Sequence, residues 1–397
     1  MMMASAQKIQ YDPLIGYCTN VHPCESLSAL KGVLDQDIPR VASALSAEDR
    51  RRFGLGLRVG AALLRELIDP DERRQLTAKI EALEAPLFTI NGFPYGDFNS
   101  GSVKAEVYDP DWRTQTRLEY SLQLADLLAE LPGPSRRTIS TVAGGFRVKT
   151  EGTEARQQIA NQLSIAARHL AEIEARGGPK ILLCLEPEPH TTLESTEETI
   201  DFFQDVLYPL GEHARRHLAL CYDCCHQAVH FEIPEKSLQA LTDAGVEIGK
   251  VQVSSALELR TPGRAEDRAA LLAFDEPRYL HQSVARARDG RLLRALDLDM
   301  LRAPDEQWRD AEAWRTHFHV PIWWEGAGPL STTRESWQAT VRWLTARGLC
   351  DQYEVETYSW DVIPEQHKVA LGGLHGAIGR ELTALGSLLP SRLGRDL

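Results

Sequence analysis

Short apolar runs alternate along this chain with longer stretches whose apolar residues recur at i, i+3, i+4 and i+7. The runs are Leu14–Thr19, Phe53–Val59, Leu87–Phe93, Thr138–Val142, Ile181–Glu186, Leu218–Asp223, Ile248–Val253 and Tyr353–Tyr358. The stretches between them, such as Gln157–Arg176 and Leu193–Leu207, carry the helical period. Strand–helix alternation predicts a parallel sheet with crossover helices. Eight such units predict closure into a (β/α)₈ barrel, the TIM-barrel class of α/β fold. No Gly-x-Gly-x-x-Gly follows the first run, which argues against an open dinucleotide-binding sheet.

One interval breaks the period. Gln252 and Glu356 are 104 positions apart, so an insertion over about 257–320 is expected between the seventh and eighth strands. Within it, Tyr279–Ala287 and Arg291–Asp297 flank Asp289-Gly290 and predict a β-hairpin. Trp314–Trp324 reads as a further extended run, and Pro262–Arg268 and Ala303–Arg309 as surface loops. Residues 11–385 then form one barrel domain, with flexible tails at 1–10 and 386–397.

Composition narrows the partners. The chain has 397 residues and a formal charge of −13, which disfavours a phosphate backbone as partner, while a local basic patch remains compatible with one phosphorylated small molecule. No stretch approaches the apolar length of a membrane span, and the first residues lack a signal-peptide core. The cysteines are seven, an odd number at irregular spacing, as expected for reduced thiols in a cytoplasmic protein. Oligomeric state is open, a homo-oligomer being compatible with the sequence.

Barrels of this class carry their chemistry at the C-terminal ends of the strands. The fifth to eighth runs end in Glu186, Asp223, Gln252 and Glu356. Three carboxylates converging at one mouth repel one another unless a cation joins them. Oxygen donors without a cysteine or multi-histidine cage suit Mg²⁺, Mn²⁺ or Co²⁺ ahead of Zn²⁺. Glu188 and Glu354 share strand faces with Glu186 and Glu356; Glu186 is preferred because it directly ends its apolar run, and Glu356 because it lies nearer the strand's end. Cys224 and Cys225 read as small packing residues. Further candidates at the mouth are His22, Arg58, Asn91, the Tyr95 hydroxyl and Ser140-Thr141. His317 and His319 share a face of their extended run and suit a second metal or a proton relay, or else an ordinary interior place.

Leu-Cys-Leu-Glu186-Pro, Tyr-Asp223-Cys-Cys-His226 and Val-Glu356-Thr resemble the metal-site strands of the xylose-isomerase-like TIM barrels, the sugar phosphate isomerase/epimerase superfamily. More narrowly, Gly16-Tyr-Cys-Thr-Asn-Val-His22-Pro, Asn91-Gly-Phe-Pro-Tyr-Gly96, Glu186-Pro-Glu-Pro, Cys-His226-Gln-Ala-Val and Glu356-Thr-Tyr-Ser-Trp-Asp361 look like the EboE group, labelled metabolite traffic proteins of secondary metabolism. The resemblance runs from about Tyr11 to Leu385. It implies one divalent metal held by Glu186, Asp223, Gln252 and Glu356, with Gln252 where histidine is commoner, and His226 contacting substrate oxygen. It implies an isomerase or epimerase acting on a sugar, cyclitol or related keto-polyol through a metal-stabilised enediolate, with Glu186 and Glu356 moving the proton and His226 polarising the carbonyl. His22, Arg58, Asn91, Tyr95, Glu188 and His319 are the expected substrate-binding residues. A hydrolase or lyase of the endonuclease-IV-like branch and a non-catalytic metabolite binder are the rival readings. The former needs histidine near the third strand, where this chain has Asn91-Gly-Phe-Pro.

Overall fold

The computed structural model describes residues 12–99, 101–363, 365, 368 and 373–390. Seven strands come first: β1 (Leu14–Tyr17), β2 (Leu55–Arg58), β3 (Leu87–Asn91), β4 (Arg136–Val142), β5 (Lys180–Glu186), β6 (Leu218–Asp223) and β7 (Ile248–Val253). Six more follow within the long interval: β8 (Leu257–Leu259), β9 (Ser283–Arg286), β10 (Leu292–Ala295), β11 (Ala313–Thr316), β12 (Gly326–Ala327) and β13 (Leu330–Thr332). The last is β14 (Gln352–Val355). Strands β1–β7 and β14 form one parallel sheet in the order β1-β14-β7-β6-β5-β4-β3-β2. Parallel bridges from Ile15 to Phe53 and from Cys18 to Gly56 join its two ends, so the sheet closes as the expected barrel. The eight apolar runs are these strands, with ends displaced by a few residues where a turn takes over.

The helices cover the barrel's outside. In Thr153–Ala175 the buried residues Ile159, Leu163, Ala167 and Leu170 recur at three- and four-residue steps and form one apolar stripe. Alternation divides each strand between that layer and the interior. On β14, Tyr353 and Val355 join the main apolar core, while Gln352 and Glu354 point into the barrel. Thr138 on β4 donates to the Gln352 amide oxygen across the interior at 2.8 Å.

The insertion makes its own sheet, β10-β9-β11-β8-β13-β12, with antiparallel pairing. The expected hairpin is β9–β10, turning at Asp289-Gly290. Leu257, Leu259, Phe274, Leu298, Trp314 and Phe318 form a second apolar core beneath this sheet. Two expectations need correction. Pro262–Arg268 is a loop only at its start: Ala265–Leu272 is helical, with Leu271 docked in the second core. Ala303–Arg309 likewise contains a helical turn at Glu306–Arg309, capped by the Asp305 side chain.

The C-terminal helix Leu374–Gly386 packs on the barrel, and beyond it Leu389 remains buried, with Arg52 donating to the Pro390 carbonyl. Of the tails expected at residues 1–10 and 386–397, residues 1–10 and 391–397 lie outside the described residues. Among the described residues no helix is long and apolar enough to cross a membrane.

Candidate metal centre at the barrel mouth

Inward alternation brings Leu182, Cys184 and Glu186 up β5, and Ala219, Cys221 and Asp223 up β6. Each strand thus runs apolar inside the barrel and ends in an acid at the mouth. Carboxylate oxygens of Glu186, Asp223 and Glu356 all lie within 4.8 Å of one another, and all three side chains are buried. Asp223 divides its oxygens between two tasks. Its Oδ1 accepts from the backbone N–H groups of Cys225 at 2.7 Å and His226 at 2.9 Å, capping the helix Cys224–Val229, and from Ser254 Oγ at 2.8 Å. Its Oδ2 is buried with no hydrogen-bond partner among the described residues, and so is Glu186 Oε2. Two orphaned, buried anionic oxygens facing a third carboxylate need either protons or a cation. Burial first, then the charges of Glu356 and Asp223, push the Glu186 carboxyl well above its ordinary range. Burial, Asp223 and Glu354 do the same to Glu356. The donor set therefore fits a hard divalent cation: it is oxygen-rich, convergent and short of positive charge.

Glu356 follows β14 directly and is held on both oxygens. Its Oε1 accepts from Asn20 Nδ2 at 2.7 Å and from Asn91 Nδ2 at 2.9 Å. Its Oε2 accepts from the Gln252 amide nitrogen. The Gln252 amide oxygen is turned away and takes the Cys221 thiol at 3.0 Å. Gln252 thus steadies Glu356 in this arrangement, and a ligand role for its oxygen requires the amide to be reversed. One layer deeper, Lys250 pairs with Glu354, both fully buried. Burial opposes the Lys250 charge, but Glu354 overcomes it and holds the amine above its ordinary pKa. This layer leaves no room for another side chain: a Cβ on Gly56 would stand 1.8 Å from Glu354 Oε1.

The insertion supplies the other wall of the mouth. His317 and His319 follow β11, and both rings turn toward His226 on the helix after β6. Phe318, between them, points the opposite way into the second core and stacks on His281 at 4.1 Å. Glu188 Oε1 accepts from Tyr108 Oη at 2.8 Å and Gln282 Nε2 at 3.0 Å. Burial raises the Glu188 carboxyl above its ordinary value. Phe98, Tyr279 and Tyr358 pack with ring centroids 5.0 to 5.1 Å apart and give the cavity an aromatic side.

Of the residues singled out in the sequence, the cavity brings together Glu186, Glu356, His226, Asn91, Glu188, His317 and His319, with Asp223 and Gln252 directly behind them. His22, Arg58 and Tyr95 are not among its lining residues. His22 Nε2 faces the Tyr17 hydroxyl at 3.0 Å. Arg58 is spent on Glu25 and the Gly96 carbonyl, locking two loops together. Tyr95 stands edge-on to Tyr120 at 5.1 Å. Asn91 serves Glu356 rather than open space. Asn20, Ser254, Tyr108, Gln282 and Tyr358 also serve the site, though they are not among the residues expected from the sequence. Asn20 and Ser254 follow strand ends and were within reach of the strand-end rule. Tyr108 and Gln282 sit on long connections that no period locates.

No protein-family model matches the chain, and no curated protein matches it. Solved structures do match in fold. An L-ribulose 3-epimerase superposes with a TM-score of 0.51 at 15% identity, over 95% of this chain and 94% of that one. A xylose isomerase-like TIM barrel protein from Mycobacterium smegmatis, in complex with magnesium, superposes with a TM-score of 0.51 at 9% identity, over 96% and 98%. The likeness spans the full barrel and establishes the fold.

Proposed function

We propose that this chain is a divalent-metal-dependent isomerase or epimerase acting on a sugar, cyclitol or related keto-polyol, of the xylose-isomerase-like kind and close to the EboE group. The observation that carries the reading is the meeting of Glu186, Asp223 and Glu356 within 4.8 Å at the barrel mouth, with two of their buried oxygens unpartnered. The two solved structures of like fold, an epimerase and a magnesium complex, support it.

The three carboxylates are the residues that would hold the ion, with Gln252 and the two asparagines fixing Glu356. The bound cation would draw electron density from the substrate's carbonyl oxygen and so acidify the neighbouring C–H. The protein's own part is to position and to move a proton. Glu186 and Glu356 line the cavity, so a substrate there lies against both. One carboxylate removes the proton from the carbon beside the carbonyl, and one returns it: to the opposite face of the same carbon in an epimerisation, or to the former carbonyl carbon in an isomerisation, where the hydroxyl proton also passes to the former carbonyl oxygen. His226 also lines the cavity, its Nδ1 held at the Pro187 carbonyl and its Nε2 turned toward His317 and His319. The aromatic side excludes water and offers C–H faces a surface to stack on.

The test is solvent deuterium exchange. The metal-loaded protein is incubated in D₂O with a panel of ketopentoses, ketohexoses and keto-cyclitols. Deuterium entering the carbon beside the carbonyl, lost in Glu356→Gln, supports the reading. Absence of exchange across the panel from protein shown to bind metal leaves a metabolite binder and sinks the enzyme.

A further inference from the structure

Three imidazoles meet at one point beside the carboxylates. Nε2 of His226 lies 3.1 Å from Nε2 of His317 and 3.3 Å from Nε2 of His319, and the latter two are 3.0 Å apart. All three rings are buried.

The opposite nitrogen of each ring fixes its tautomer. His226 Nδ1 faces the Pro187 carbonyl at 3.0 Å, and His319 Nδ1 faces the Glu356 carbonyl at 2.9 Å. A carbonyl oxygen accepts and never donates, so both Nδ1 atoms carry hydrogen. His317 Nδ1 faces the Gln282 amide oxygen at 2.8 Å. That amide cannot be reversed, because its nitrogen lies 3.0 Å from Glu188 Oε1 and 3.2 Å from the Pro189 carbonyl, both acceptors. His317 Nδ1 therefore carries hydrogen as well. With all three protons placed, three Nε2 lone pairs point at one another. The Tyr358 hydroxyl, 3.3 Å from His317 Nε2, can quench one of them. At least two remain opposed without a proton between them.

We propose that His226, His317 and His319 form a second metal site, separate in donor set from the carboxylate centre, that takes an imidazole-preferring divalent transition ion such as Zn²⁺, Fe²⁺ or Co²⁺ through the three Nε2 atoms. A tetrahedral ion with metal–nitrogen bonds of about 2.0–2.1 Å spaces its ligands about 3.3–3.4 Å apart, close to the triangle seen here. The outer partners match as well: metal-bound histidines donate their second N–H to a carbonyl or amide oxygen, and all three do so. The site is independent of the isomerase reading, since it rests on no carboxylate of that centre.

The experiment uses the full chain stripped of metal, with ¹⁵N-labelled histidine, titrated with Zn²⁺ alone. The Nε2 resonances of the three histidines shift together on zinc binding while their Nδ1–H signals persist. His319→Gln binds one zinc fewer per chain than wild type by elemental analysis, and Glu186→Gln keeps the three shifts. Gln282→Leu, which removes an outer partner, weakens the zinc held by the histidines by roughly 10- to 100-fold. Unshifted Nε2 resonances in the wild type overturn the proposal, and so does an equal zinc count in wild type and folded His319→Gln. Should His319→Gln fail to fold, the wild-type resonances decide alone.

Discussion

The two donor clusters at the mouth lie side by side but are built on opposite principles. The carboxylate centre grows out of the barrel itself: Glu186 and Asp223 are the last residues of β5 and β6, and Glu356 follows β14. Strand alternation alone turns them inward. The imidazole cluster takes one member from the helix after β6 and two from the insertion, whose place against the barrel depends on a second core. The first is an anionic set that holds protons where it lacks a cation. The second is a set of imidazoles whose Nδ1 hydrogens are already committed to outer oxygens. The clusters adjoin, Asp223 lying within 4.8 Å of nitrogens of His226 and His319, and what sets them apart is charge.

The largest break in the comparison comes from removing an acid. Glu356→Gln is expected to lower turnover by about 10²–10⁴-fold, the usual worth of a positioned acid or base. Steady-state kinetics on the substrate found by exchange checks this, with an unchanged circular dichroism spectrum showing the fold intact. The layer beneath the carboxylates comes next. Lys250→Met leaves Glu354 charged and unpaired, and should cost about 3–5 kcal/mol of stability in urea titration. Adding Glu354→Gln should restore much of that loss.

pH separates the clusters directly. Glu186 and Glu356 have raised pKa values, so a cation must displace protons from them. Affinity for Mn²⁺ at the carboxylates should therefore rise with pH between 6 and 8, by up to about tenfold per unit for each proton released. Burial lowers His319 to about 4, with Asp223 opposing it and His226 adding to it, and burial with His226 and His319 takes His317 well below its ordinary value. Over the same pH range zinc affinity at the imidazoles should change much less. Calorimetric titrations at pH 6 and 8 with each ion read the contrast, and equal slopes would erase it.

The smallest effect concerns Glu381, a buried acid on the C-terminal helix that accepts from Thr357 Oγ1 at 2.6 Å and Ile322 N at 3.0 Å, one beside each cluster. Burial raises it to about 7. A raised acid keeps its proton in the native state after the unfolded chain has lost it, so this group lowers stability as pH climbs from about 4.5 to about 7. Glu381→Gln should remove that slope, gaining at most a few kcal/mol relative to wild type at pH 8. Urea midpoints across pH check it.

The barrel and the carboxylate cluster were largely legible because both follow from period two. An apolar strand that ends in an acid states its own orientation, and Glu186, Asp223 and Glu356 need nothing else to meet. The layer below was half legible: Glu354 was weighed as an alternative to Glu356, but nothing near it in sequence announces Lys250, its partner across the β7–β14 pair. The insertion was least legible. Its hairpin has a local turn signal, yet its helix at Ala265–Leu272 is fixed by docking on the second core rather than by an evident period. The meeting of His226 with His317 and His319 spans about ninety positions and depends on how the insertion folds back. Arg58 and Tyr95 misled for the same reason: a strand end or a tight turn gives a position, and only tertiary packing says whether it faces the cavity or a neighbouring loop.

Phe318 stands between His317 and His319 with its ring in the second core. Its neighbours cannot shift without dragging it, nor can it shift without displacing them. An ion on the three nitrogens would then be thermodynamically linked to the folding of the insertion, and linkage runs both ways. Saturating the imidazoles should slow amide hydrogen exchange in β9 and β11, strands that touch no ligand. Loosening the core, for instance with Phe318→Ala, should weaken the ion without altering a single donor atom.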